Sequence, residues 1–230
     1  MLDPAQAEVL RLSLWVATTA VAVSLPLALA VAWFLARSRW PGKMVVEAIV
    51  HLPLVLPPVV TGYLLLIALG RNSAVGGWLS DTFGLVFAFQ WTGAALAGAI
   101  MGFPLMVRPI RLSLEAIDRR VEDAAATLGA PPVWVWLTVT LPLALPGVIA
   151  GLVLAFARAL GEFGATITFA ANIPGETRTL PLAIYTFIQV PGGESQAAQL
   201  IVISIAVSLA ALIASEVLAR YVKRVQATGG

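Results

Sequence analysis

Arg158 and Glu162 stand four positions apart in a segment that is otherwise apolar, glycine or proline from Leu141 to Phe163. On a helix that spacing puts both side chains on one face. A charge inside an apolar span is costly, so such residues pair with one another or face a water-filled cavity. Two readings follow: the pair lines a polar route, or it is a structural ion pair that fixes neighbouring helices. Because the pair is neutral, it would not trap an anion.

A second concentration of charge lies between residues 114 and 130. Apolar residues recur there at Leu114, Ile117, Val121, Ala124, Ala125 and Leu128, the spacing of one helical face. Glu115, Asp118, Arg119, Glu122 and Asp123 fall mostly on the other faces. Gly129 tolerates a left-handed cap, and Pro131 and Pro132 cannot continue the ladder, so the pattern predicts an amphipathic helix that stops at Gly129. Such a helix needs a surface to lie on, either lipid headgroups or another protein.

Several chemistries have no residues to carry them. Gly42-Lys43 is followed by Met44 and lacks the upstream glycine of a phosphate loop, so the chain is not expected to hydrolyse ATP. No nucleophile elbow or zinc-protease helix occurs. With no cysteine and one histidine, disulfides, thiolate metal sites and multi-histidine sites are excluded within one chain, and no cofactor is expected.

The elements that must position these residues are membrane spans. Of 230 residues, 60% are hydrophobic and 11% charged, against about 25% charged in soluble domains, and the mean hydropathy is +0.93. Apolar runs of about 20 residues cross a bilayer. Span one is expected at 12–36, span two at 45–69, span three at 91–107, span four from 141 to about 163 and span five at 197–219. Residues 71–90 read as a polar loop with Trp78, Phe83 and Trp91 suited to an interface, and 180–190 as a short or re-entrant helix on the outer side. Span two contains Pro53, Pro57 and Pro58, and prolines in a spanning helix free backbone carbonyls that neighbours or a cavity must satisfy. His51, just before them, either faces a cavity or is a satisfied residue near the inner interface. Gly98-x-x-x-Gly102 and Gly147-x-x-x-Gly151 are small-residue faces, for intrachain packing or for a contact between copies.

Ala28-Leu29-Ala30 has the look of a cleavage site, but no basic cluster precedes the apolar run, and Arg37, Arg39 and Lys43 follow it. An uncleaved anchor with its N-terminus outside is expected. Ten of the fourteen basic residues then fall in three places. They are Arg37, Arg39 and Lys43; Arg108, Arg111, Arg119 and Arg120; and Arg220, Lys223 and Arg224. Five spans put all three places, and the C-terminus, in the cytoplasm, as the positive-inside rule asks. The basic residues are thereby explained as topology signals, and nucleic-acid binding is not expected.

The segment Asp123-Ala124-Ala125, three residues, Gly129, nine residues, Val139, one residue, Leu141-Pro142 resembles the EAA loop of ABC importer permeases. Asp123 stands where that family has Glu and Val139 where it has Ile, with Glu122 as a neighbouring carboxylate. Over nearly its whole length the chain is similar to the molybdate permeases of that family. The matching phrases are HLPLVLPP at 51–58, FPLMVR at 103–108, LAFARALGEFGATIT at 154–168, NIPGETRT at 172–179 and PGGES at 191–195. Parts of these are shared with sulfate and thiosulfate permeases.

The resemblance implies one all-α transmembrane permease domain over 1–230 with about five helices of the MetI-like fold, in a bacterial inner membrane. It implies a homodimer, two cytoplasmic ATP-binding subunits, and a periplasmic binding protein that delivers molybdate or tungstate. It assigns ATPase coupling to Glu122, Asp123, Ala124, Ala125, Leu128, Gly129, Ala130, Leu141 and Pro142. The translocation path would carry Arg158, Glu162, Thr166 and Thr168, and the binding protein would meet Gly175, Glu176 and Arg178. A sulfate-type permease is the rival reading. A secondary transporter would show internal repeats with paired broken helices, and none is found.

Overall fold

The computed structural model describes residues 3–228, and these are helical with connecting turns and no strand. Helix α1 spans Pro4–Arg37, α2 Lys43–Val55, α3 Pro58–Leu69, α4 Ala74–Phe83, α5 Trp91–Glu115 and α6 Arg119–Thr127. A short α7, Pro132–Val135, runs through a π-helical stretch, Trp136–Thr140, into α8, Leu141–Leu160. Then come α9, Gly164–Phe169, α10, Leu180–Gln189, and α11, Glu194–Thr228. Four of these helical runs are long and apolar enough to cross a membrane, and the α2–α3 pair makes a fifth if taken as one broken span. The expected five-span pattern is thus present, with its boundaries moved. The side chains of Arg220, Lys223 and Arg224, expected to close the last span, lie outside the described residues.

Span two departs furthest from a straight rod. Its two halves are bent by 112°. The cause is local: a residue before proline is pushed out of the helical region, and here Leu56 (ψ 140°) and Pro57 (ψ 133°) are both extended. Proline then suits the first turn of α3, where a missing N–H matters least. The 71–90 loop is also corrected, since it contains α4. Its start was legible, because Ser73 Oγ accepts from Gly76 N at 2.9 Å, and so was its stop at left-handed Gly84 (φ 66°). Trp78 and Phe83 meet edge to face, 5.5 Å apart.

The centre of the bundle is α5, packed between α1 and α8. Among lipid tails, helices associate by close packing rather than by exclusion of water, and small residues permit it. Both small-residue faces do this within the chain. A Cβ at Gly102 would lie 3.1 Å from Ala155 O and one at Gly98 3.1 Å from Ala159 Cβ, while one at Gly151 would meet Met106 O at 2.7 Å. One cluster joins Ala32 and Leu35 of α1, Met106 and Ile110 of α5, and Ala144 and Val148 of α8. A second, around Ala17, Ala159, Leu180 and Leu200, brings in α10 and α11.

Candidate functional site

The predicted 114–128 helix is divided. α5 continues to Glu115, the chain turns over Ala116–Asp118, and Asp118 caps a new helix by accepting from Arg120 N at 3.0 Å. Asp at a cap competes well with continued helix because its side chain replaces a missing backbone acceptor. The end follows the expectation from sequence. Gly129 is left-handed (φ 89°), its N–H donates to Ala126 O at 3.0 Å, and Ala130 N donates to Ala125 O at 3.4 Å. That pair of bonds satisfies carbonyls the helix would otherwise leave open.

No residue of α6 is buried. Leu128 is 90% exposed and Val121 47%, while Asp123 and Ala124 are exposed and Ala125 and Ala130 half-buried. Leu141 and Pro142 sit at the start of α8, half-buried, and Leu141 packs against the central cluster. Glu122 turns inward. Its Oε1 accepts from Arg37 Nη2 at 2.8 Å and from Thr140 Oγ1 at 2.7 Å. A cleft of about 320 Å³ lies here, lined in part by Trp33, Arg37, Arg119, Asp123 and Trp136.

Arg158 and Glu162 form the expected ion pair, with Glu162 2% exposed and Arg158 25%. The other carboxylate oxygen of Glu162 accepts from Ala165 N at 2.7 Å and so caps α9. The pair therefore anchors the turn from α8 into α9. Thr166 is buried, and half-buried Thr168 donates to Gly164 O at 2.9 Å. At the other end of α1, Gly175 (φ 78°) forms a turn with exposed Glu176. Half-buried Arg178 is held by Asn172 Oδ1 at 3.0 Å, and Asn172 donates in turn to Thr186 Oγ1 at 2.8 Å. Gly175 lines a cleft of about 540 Å³ with Glu8, Arg11 and Trp15.

His51 is both hydrogen-bonded and cleft-facing. Its Nδ1 lies 2.8 Å from Glu47 O, and it lines a cleft of about 600 Å³ with Arg108 and Arg111. Two clusters escaped sequence reasoning. Arg111 bridges Glu47 (2.6 Å) and Glu115 (2.7 Å), and Arg37, Glu122 and Thr140 converge although widely separated in the chain. The i,i+4 spacing of Arg111 and Glu115 was the one available signal. Among the described residues there is no cluster able to hold a metal ion.

Residues 15–224 match the family model described as the inner membrane component of binding-protein-dependent transport systems. The chain is 60% identical over 218 residues, 95% of each chain, to the molybdenum transport system permease protein ModB of Escherichia coli (strain K12). It is 57% identical over 215 residues, 94% of each chain, to that of Haemophilus influenzae. Among solved structures, it is similar to a bacterial ABC transporter involved in alginate import, with TM-score 0.71 and 16% identity over 97% of this chain and 80% of that one. The MetNI methionine ABC transporter gives TM-score 0.69 and 17% identity over 96% and 99%. The helical bundle, its apolar spans and these matches together mean that the chain belongs to the family of inner membrane components of binding-protein-dependent transport systems, the permeases of ABC importers.

Proposed function

We propose that this chain is the translocation subunit of an ATP-driven importer that carries molybdate, and tungstate with it, from periplasm to cytoplasm. The observation that carries the cargo is the 60% identity over 95% of both chains to a molybdenum permease. Two copies would enclose the route, since five spans make a thin wall, and each would bind one cytoplasmic ATPase subunit. The N-terminus lies outside and the C-terminus inside, in a bacterial inner membrane. The side of α6 that carries exposed Asp123, Ala124 and Leu128 and half-buried Ala125, ahead of the Gly129 turn, enters a groove on the ATPase. Ala130, Leu141 and Pro142 set the exit angle of that turn. Gly175, Glu176 and Arg178 meet the periplasmic binding protein, while Arg158, Glu162, Thr166 and Thr168 border the route.

The test is reconstitution of the permease with its ATPase and binding protein in vesicles. ATP-dependent uptake of labelled molybdate, unaffected by excess sulfate, is the expected result, and native mass spectrometry should give two permeases with two ATPases. Uptake suppressed by sulfate would reassign the cargo. A transporting complex with one permease would remove the homodimer.

A further inference from the structure

We propose that Glu122 is a positioning residue for the proposed transport reaction. It is an internal clamp that ties the coupling helix to two membrane spans, rather than part of the face that meets the ATPase. The inference rests on the docking reading of α6 given above and adds how motion leaves that helix.

The observations are geometric. α6 buries none of its residues, so packing does little to fix it to the bundle. One oxygen, Glu122 Oε1, receives both Arg37 at 2.8 Å and Thr140 at 2.7 Å. Arg37 is the last residue of α1. Thr140 is the last residue of the π-helical stretch, is 2% exposed, and leads directly into α8. α1 and α8 both pack on α5, so a pull on Glu122 reaches the centre of the bundle through two routes. Charge-assisted bonds are short and direction-specific, which suits a rigid link better than an apolar contact that can slide.

The π-helical stretch adds the second half of the device. A π turn holds a residue more than the α ladder accommodates, and such turns recur at functional sites. Here it lies between the Gly129 turn and α8, where movement of α6 must be absorbed or passed on. Anchoring Thr140 to Glu122 fixes the end of that stretch to the coupling helix, so displacement is passed on. With the anchor gone, the stretch can change pitch while α8 stays still. Arg119 and Asp123 also line the cleft beside the clamp, yet neither takes Glu122 Oε1.

The test uses the full importer in vesicles and reads two quantities: ATPase subunit retained, and molybdate taken up per ATP hydrolysed. Glu122→Gln should lower uptake per ATP by about tenfold, the scale of one lost charged hydrogen bond. Thr140→Val keeps the ion pair, and at 2% exposure Thr140 offers no surface to a docked subunit. It should retain the ATPase like the parent and lower the ratio by about two- to threefold, as expected for one neutral bond. The double change Arg37→Glu with Glu122→Arg should recover much of the ratio lost in either single variant. Spin labels at Arg39→Cys and Thr127→Cys, clean in a chain without cysteine, should give a narrow distance distribution that broadens with Glu122→Gln. Parental ratios in Glu122→Gln and Thr140→Val, or no recovery on the swap, would overturn the clamp. Loss of the ATPase from Glu122→Gln with unchanged label distances would make Glu122 a docking contact instead. Leu128→Asp separates the two ideas: if it retains both ATPase and uptake, the docking reading itself fails.

Discussion

The seam between α5 and α8 and the short helix α6 are held by opposite means. The seam is interlocked along its length, with Gly98 and Gly102 of α5 against Ala159 and Ala155, and Gly151 of α8 against Met106. α6 buries no residue and is tied by one carboxylate and a glycine turn. A membrane bundle held by shape tolerates almost no added volume, whereas a helix held by a few directional bonds can move as a unit. On the proposed reading, the seam holds the fold and α6 is the part that moves.

The largest effect should come from filling the seam. A Cβ at Gly147 would lie 2.4 Å from Ser113 Cβ and 2.5 Å from Pro109 O, and backbone cannot retreat within a packed pair. Gly147→Leu should cost more than about 3 kcal/mol, beyond the usual range for overpacking, and should abolish accumulation in the membrane. Normal accumulation measured by immunoblot would mean that α5 and α8 separate more easily than the contrast requires.

Next in size is Glu162→Gln. The carboxylate is 2% exposed and its partner 25%, and breaking a buried pair costs about 3–5 kcal/mol, less here because Arg158 keeps some solvent. The single variant should melt earlier in detergent and transport poorly. Adding Arg158→Gln should return most of the thermal stability. Parental melting and transport in both variants would mean that the two charges face water.

A smaller intrinsic effect with a larger functional one is expected at Gly129. At φ 89° with nothing within 4 Å of its would-be Cβ, only backbone strain opposes a side chain. Gly129→Val should cost about 1–2 kcal/mol, so the protein should accumulate normally while ATPase co-purification or uptake falls. Asp123→Lys should act alike by reversing a charge on the exposed face. Normal values for both in both assays would remove α6 from coupling. Smallest of all, Ser73→Ala removes the cap of α4 and should lower the melting free energy by about 1 kcal/mol with uptake unchanged, because α4 belongs to neither side of the contrast.

The expected bundle was legible because apolar run length and proline position are local facts. Five apolar segments, the Gly129 stop and the Arg158–Glu162 spacing all read directly from neighbours in the chain. The departures are local too: a helical period that runs through Asp118 hides the cap at which α6 starts, and the helix between Ser73 and Gly84 is short enough for its polar residues to resemble a loop. At the site, the apolar stripe of α6 was legible from its periodicity, but its exposure and the inward direction of Glu122 were not. Periodicity says that a residue is off the apolar stripe without saying whether it meets water or another helix.

What the amino-acid order determined by itself was the membrane class, the helical content, the left-handed turn at Gly129 and the proline-rich character of span two. Each follows from hydropathy, ring closure or the missing Cβ within a few residues. The tertiary structure alone decided that span two breaks and bends by 112°, that the glycine faces serve α5 and α8 of one chain, and that Glu122 reaches Arg37, 85 positions away. Those outcomes depend on which surfaces meet when the helices pack, and packing couples residues by distance in space, which chain order does not encode locally.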